Sequence, residues 1–289
     1  MFTPRRHSVE TRLIGKTSPA AGTEYEGKSI DEIIVGIARI SSSRETNDLF
    51  KQPEKLLRHC LLNGHFSIFG MANLTFEIKT SRAIGRELIR HCSIGIHDVQ
   101  EFSARYSEVS NFEDIEFRLQ SENNRQSSKD MVGGIAFQDY MGNDLSGYYL
   151  SPDKVGESTV KAIKKALEAT KLTREAYQDL IRSGVARETA RMILPETAQT
   201  TLIFNGTVRS WITLLNVRLH ETAQKECRLV AESIRDAFIK ECPIIANSLF
   251  NFQDAYTIHI LDQLVLEKWG CLDMVRANGL KKLKGGPPV

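Results

Sequence analysis

The stretch Arg90-His91-Cys92-Ser-Ile-Gly-Ile-His97-Asp-Val-Gln-Glu101-Phe102-Ser103-Ala104-Arg105-Tyr106 is the most unusual in this sequence. A helix is expected to end in Arg90-His91, followed by a polar loop and then Glu-x-Ser-x-Arg-Tyr. At alternating spacing Glu101, Ser103 and Arg105 project to one side. An acceptor, a hydroxyl and a guanidinium on one face suit a phosphate together with a sugar or base edge. The same residues also suit a loop tied down by an ion pair, and spacing alone leaves both open. Three further arginines stand in unusual settings. Arg191 lies in Ala190-Arg191-Met-Ile-Leu-Pro195, an otherwise apolar helical turn. Arg209 and Arg218 are nine residues apart in Val208-Arg209-Ser-Trp-Ile-Thr213-Leu-Leu-Asn216-Val-Arg218. At about 100° per residue they point to opposite sides of a helix. One helix can then meet two ligands, or a ligand and a neighbouring subunit. Each arginine taken alone also fits a buried salt bridge.

The elements that must position these groups are helices and short strands. Ser29-Ile-Asp-Glu32 has the pattern of a capping box, and Ile33, Ile34, Ile37 and Ala38 follow at helical spacing. Residues 45–63 read as a second helix, and the alternation in residues 73–79 reads as a strand. Ser81 can cap a helix running to about His91, and residues 93–110 read as a functional loop. A strand is expected over 113–119, a polar looped stretch with Gly133-Gly134 over 120–150, a long amphipathic helix over 157–182 and a shorter one over 187–194. A strand over 200–205 and one or two helices over 209–240 follow. Residues 17–28 are small and polar and read as a loop. The order lacks regular βαβ units and predicts a mostly helical α+β fold in one domain.

Composition narrows the function classes. The 289 residues are 41% hydrophobic and 26% charged, as in ordinary soluble chains. Thirty-eight basic against 36 acidic residues give a net charge of +2, which calls for neither nucleic acid nor a charged membrane. The longest apolar runs, Cys242-Pro-Ile-Ile-Ala246 and Met192-Ile-Leu-Pro195, fall far short of the roughly 20 residues of a membrane helix. Met1 to His7 lacks the apolar core of a signal peptide, so the cytoplasm is the expected location. Five cysteines without a C-x-x-C argue against a disulfide framework or a zinc site, and no metal is expected.

The stretch from Arg90 resembles the signature of the flavin-dependent thymidylate synthases, Arg-His-Arg followed at a distance by Ser. The resemblance extends to Gly64-His65-Phe-Ser67-Ile-Phe69, Phe76-Glu-Ile-Lys-Thr-Ser-Arg82, Gln100 to Tyr106, Ala190 to Pro195, and Asn216-Val-Arg218 with Ala223-Gln224. These occur in the family's order over residues 30–248. The resemblance implies a mixed central sheet packed with long helices. It implies a catalytic domain over 1–250; it does not cover the last 40 residues, and 251–289 is expected, from its composition, to be an extension, helical and then a disordered tip. It implies a homotetramer with FAD-containing active sites at subunit interfaces. The implied reaction converts dUMP to dTMP, with methylenetetrahydrofolate as carbon donor and NADPH as reductant. Carried over by motif, Ser67, Arg90, His91, Cys92, Glu101, Thr207, Val208, Arg209 and Thr213 line FAD. Glu87, Leu88, Ile89, Arg90, Glu101, Phe102, Ser103, Ala104, Arg105, Arg191 and Arg218 hold the nucleotide, with Arg218 the activating group.

Residue chemistry agrees with those roles. Uracil carbon 5 becomes nucleophilic when negative charge builds on the N3/O4 side. A permanently charged guanidinium in a dry site stabilises that charge without taking a proton. No activated cysteine is required. His65 is expected to shape the folate or flavin pocket, or to be a hydrogen-bonded structural histidine before a turn. The chain departs from the family pattern at several points. Cys92 stands where the signature has its second arginine, and ten residues separate it from Ser103, a longer spacing than the signature's. Gly70-Met71 and Thr222 also differ. Glu87 replaces a glutamine. A carboxylate cannot donate to phosphate, so Glu87 must pair with Arg86 or Arg90, or accept from a sugar hydroxyl. Glu87 keeps open an enzyme acting on dCMP or UMP, or leaving a hydroxymethyl group. Cys92 keeps open a non-catalytic nucleotide-binding homologue.

Overall fold

A computed structural model describes residues 10–41, 49–91, 96–122, 128–135, 156–220 and 222–250. The expected extension and Cys92 lie outside them. The chain divides into two compact units. The first comprises Met1–Ile14, Thr75–Asn205 and Arg218–Ile234; the second comprises Gly15–Leu74, Gly206–Val217 and Arg235–Val289.

Most of the four-stranded sheet belongs to the first unit. Strands β1 (Glu10–Lys16), β2 (Asn73–Ser81), β3 (Ile96–Glu101) and β6 (Gln199–Thr207) lie in the order β1-β2-β6-β3. Alternation decides the faces. Phe76, Ile78 and Thr80 of β2 and Thr200, Leu202 and Phe204 of β6 are buried. The intervening residues of β2 carry Glu77, which pairs with Arg12 at 3.1 Å, and Lys79, which pairs with Glu10 at 2.7 Å. Strand β3 lies within the stretch expected to be a loop. Its Ile-His-Asp-Val-Gln-Glu alternates weakly, and pairing with β6 rather than its own composition orders it. The same applies to β5 (Ser128–Ile135), which falls in the expected loop and pairs antiparallel with β4 (Ile115–Gln120).

Helices of the first unit cover this sheet and build a second core. Helix α3 (Arg82–Ile89) follows β2 directly, and Ser81 is both the last strand residue and the N-cap, accepting from Ile84 N–H. The 26-residue α4 (Glu157–Arg182) has the expected bounds. Its Tyr177 is fully buried with Ala104, Val109, Ala190 and Ala198, and its hydroxyl accepts from Val109 N–H at 3.1 Å. The short α5 (Arg187–Ala190) and a 3-10 turn, Arg191–Ile193, fill the expected span over 187–194.

In the second unit α1 (Ile30–Ile40) starts at the expected capping box. Ser29 Oγ accepts from Glu32 N–H, and Ser29 N–H donates to the Glu32 carboxylate at 2.9 Å. Helix α2 (Pro53–Leu62) is shorter than expected. Residues 49–52 form a turn in which Gln52 takes φ 48°, and Pro53 sits where its missing N–H costs nothing. The expected helical span over 209–240 is two helices: α6 (Val208–Arg218), which belongs to this unit up to Val217, and α7 (Lys225–Glu241), which belongs to it only from Arg235 on. Helix α8 (Pro243–Phe250) packs on α2 and was not expected. Trp211 of α6 is fully buried, and its indole N–H is shared between the Leu74 and Gly206 carbonyls at 3.0 and 3.1 Å.

Candidate functional site

Three expected residues converge in the first unit. Glu87 lies on the last turn of α3 and His91 in the 3-10 turn that follows it, and both meet the same partner. Arg218, the last residue of α6, is that partner. Its Nε donates to His91 Nε2 at 2.7 Å, Nη1 to Glu87 Oε2 at 3.0 Å, and Nη2 to the Glu87 carbonyl oxygen at 3.2 Å. A cation at a helix C-terminus is also favoured by the helix dipole. Glu87 thus finds its cation, but in Arg218 rather than in Arg86 or Arg90. Arg86 lies about 100° round the helix from Glu87 and pairs with Glu196.

Helix α3 is held close to the sheet by Gly85. A Cβ there would lie 3.2 Å from Leu202 Cδ1 and 3.3 Å from Thr200 Cγ2. Buried Ile84 and Leu88 anchor the same side, which leaves Glu87 and His91 for Arg218.

Electrostatics set the protonation states. Burial, then the Arg218 and Arg90 charges, lowers the His91 pKa to about 4. His91 is therefore neutral, and its Nε2 lone pair accepts from Arg218, which leaves the ring proton on Nδ1. Cys227 of α7 is a member that the sequence did not suggest. It is fully buried, and burial pushes its thiol pKa up to about 12, with a hydrogen bond to Glu87 acting the same way. It remains a thiol, not a nucleophile. Its only sequence signal is a small polarizable residue on the apolar side of an amphipathic helix.

The other expected residues of this unit are more dispersed. Leu88 is buried and Ile89 half-buried on α3, and Arg90 is exposed at its end. Glu101 accepts from Thr200 Oγ1 at 2.9 Å. The expected alternation of Glu101, Ser103 and Arg105 breaks, because the strand ends at Glu101. Tyr106 and Ser107 N–H groups turn back to the Ser103 carbonyl, each at 3.1 Å. Phe102 N–H donates to the Thr201 carbonyl, and Ala104 is buried in the Tyr177 core. Arg105 reaches Glu188 at 3.2 Å, the ion pair that the bland reading of this loop anticipates. Arg191 is half-buried in its 3-10 turn.

Ser67, Thr207, Val208, Arg209 and Thr213 belong to the second unit. Ser67 is exposed on the 3-10 turn Phe66–Gly70. Thr207 Oγ1 accepts from Ser210 N–H at 3.1 Å. Val208 is buried and its N–H donates to the Ala72 carbonyl. Thr213 donates to the Arg209 carbonyl at 2.9 Å, and Arg209 is half-buried. His65 is exposed before the 3-10 turn, edge-on to His59 at 5.8 Å between ring centroids. A cleft of about 550 Å³ in this unit is lined by Lys16, Lys28, Lys240, Glu26 and Glu241 among others, and by none of the expected site residues.

Comparison with known proteins places this geometry in context. Residues 23–244 match the family model described as thymidylate synthase complementing protein. A flavin-dependent thymidylate synthase of Synechocystis sp. is 35% identical over 242 residues, which cover 83% of this chain and 99% of the relative. A probable flavin-dependent thymidylate synthase of Paramecium bursaria Chlorella virus 1 is 32% identical over the same shares of each chain. The crystal structure of a UMP/dUMP methylase from Streptomyces cacaoi, bound with 5-Br dUMP, superposes with a TM-score of 0.61 at 23% identity. It covers 86% of this chain and 96% of its own. That likeness extends to the fold, which agrees with the α+β expectation.

Proposed function

The chain belongs to the thymidylate synthase complementing protein (Thy1) family, and from that premise we propose that it reductively methylates dUMP to dTMP with Arg218 as the activating group. It is a flavin enzyme of the methyltransferase type, with FAD as cofactor and with methylenetetrahydrofolate and NADPH as co-substrates. The flavin, when bound, supplies hydride chemistry.

The carrying observation is the cluster of Arg218, Glu87 and His91. A guanidinium has five N–H donors, and three are given to Glu87 and His91. Two remain for a ligand. They suit negative charge developing on the N3/O4 side of a pyrimidine. The neutral imidazole adds no second cation, so it orients Arg218 without competing for the anion.

The donor chemistry also fits a dinucleotide cofactor. Arg90 and Ser67 are exposed, and Arg209 is half-buried. These supply cations and a hydroxyl for phosphates and ring edges. Val208 and Thr213 have already given their N–H and hydroxyl donors to the chain, so we assign them packing or acceptor roles. Arg105, Arg191 and Ser103 are assigned to the phosphate end of the nucleotide. A homotetramer and a cytoplasmic location complete the proposal, since the family's pocket draws on more than one subunit and charged nucleotides do not cross membranes unaided.

An enzyme acting on dCMP or UMP loses its main motive, because Glu87 has a cation within the chain and needs no sugar hydroxyl. The test is a product assay of FAD-loaded protein with methylenetetrahydrofolate and NADPH, run separately on dUMP, dCMP and UMP. We expect dTMP from dUMP at the highest kcat/KM. Methylated product from UMP or dCMP at equal or higher kcat/KM overturns the substrate, and no product from any of them overturns the activity. Light scattering at micromolar concentration tests the tetramer.

A further inference from the structure

We propose that Glu87 is a positioning residue that holds Arg218 in one orientation and tempers the charge it presents to the nucleotide. The inference rests on the assignment of Arg218 to the pyrimidine. Arg218 is anchored by three acceptors of two kinds. The Glu87 carbonyl oxygen and His91 Nε2 are neutral, and together they fix the guanidinium plane. The Glu87 carboxylate is charged and lies 3.0 Å from Nη1. Orientation is therefore shared among three contacts, whereas charge compensation comes from one.

That one contact is poorly screened. The Arg218 and Glu87 side chains are only 16% and 26% exposed, and Cys227 is fully buried and feels both charges. Away from solvent, the field of Glu87 opposes that of Arg218 at any anion placed beyond the guanidinium. A nucleotide phosphate and the charge developing on the ring both meet an arginine already partly answered. A glutamine at this position would keep the acceptor and omit the opposing charge.

The test compares wild type, Glu87→Gln, Glu87→Ala and Arg218→Lys as FAD-loaded enzymes, by equilibrium binding of dUMP, steady-state kinetics and melting temperature. Glu87→Gln retains an oxygen for Nη1 and removes the charge, so dUMP Kd should fall about tenfold. Glu87→Ala also removes the oxygen, so kcat should fall about tenfold below that of Glu87→Gln as the guanidinium loses an anchor. A structural ion pair gives a different result. Both Glu87 variants then melt earlier while folded molecules keep wild-type Kd and kcat, which overturns the proposal. Weaker dUMP binding by Glu87→Gln also overturns it, because Glu87 would then be a direct ligand contact. Arg218→Lys separates the two levels. If it keeps wild-type turnover, the assignment of Arg218 fails and takes this proposal with it. If it loses turnover while Glu87→Gln leaves dUMP Kd unmoved, the proposal alone fails.

Discussion

Asp31 in the second unit and His91 in the first are both buried and both driven toward their neutral forms, yet they are satisfied in different ways. Asp31 Oδ2 and Oδ1 accept from the Ile244 and Ile245 N–H groups at 2.8 and 3.3 Å, so this α1 carboxyl caps the start of α8. Burial raises its pKa to about 6, against the pull of those two amides. His91 instead gives a lone pair to a guanidinium, and burial together with that cation lowers its pKa to about 4. The same desolvation therefore produces opposite proton linkage. Between about pH 4 and 6 the folded chain holds a proton on Asp31 that the unfolded chain has released, so this contribution to stability falls as pH rises. Between about pH 6.5 and 4 the unfolded chain binds a proton on His91 that the folded chain refuses, so this contribution falls as pH drops. At about 1.4 kcal/mol per pKa unit each is worth about 3 kcal/mol, and the two offset over one window.

The sharpest way to separate the two sites is catalytic. Arg218→Lys keeps the charge but loses the planar fork, and turnover should fall about 10²–10³-fold. Flavin reduction by NADPH, which needs no pyrimidine activation, should stay near wild type. A less stable enzyme with wild-type turnover per folded molecule would sink the catalytic role of this side.

The offset itself gives the next test. In a single cooperative transition, Asp31→Asn removes the falling contribution and leaves that of His91. Unfolding free energy should then rise with pH by about 3 kcal/mol more than in wild type between pH 4 and 6. Denaturant titrations at several pH values measure it, and an unchanged slope breaks the comparison. Asp31→Ala is expected to cost about 2 kcal/mol near neutral pH, because two amides lose their acceptor while the cost of a buried carboxyl is relieved. The smallest effect belongs to Gly85→Ala. Its Cβ meets two side-chain methyls at 3.2 and 3.3 Å, while alanine favours the helix, so the net loss should be about 1 kcal/mol or less. Calorimetry should find the pH slope of Asp31 intact in that variant.

Local signals were legible where a short motif fixes the backbone. Ser29 to Glu32, Ser81 and the apolar period of residues 157–182 all placed helix boundaries well. What escaped was order imposed from outside a segment. Residues 128–135 include two glycines, and their strand is paired with β4. Arg118 helps hold that pair. It donates to Ser128 Oγ at 2.9 Å and pairs with Glu226 at 2.7 Å, contacts that no window of sequence contains. The site divides in the same way. The sequence suggested a cation for Glu87 among its near neighbours Arg86 and Arg90, but the partner that Glu87 shares with His91 is more than 120 residues further along the chain. The motif resemblance supplied Arg218, whereas its pairing with Glu87 and the burial of Cys227 required three dimensions.

The join between β2 and α3 bears on how the sequence can change. Ser81 closes the strand and caps the helix with no spacer between them. One inserted residue after Ser81 would rotate the helix face by about 100°, carrying Glu87 and His91 away from Arg218. Insertions and deletions should therefore be purged from this junction in descendants of the chain. The span between Cys92 and Ser103 already differs in length from the family signature, and length drift in this gene should collect there.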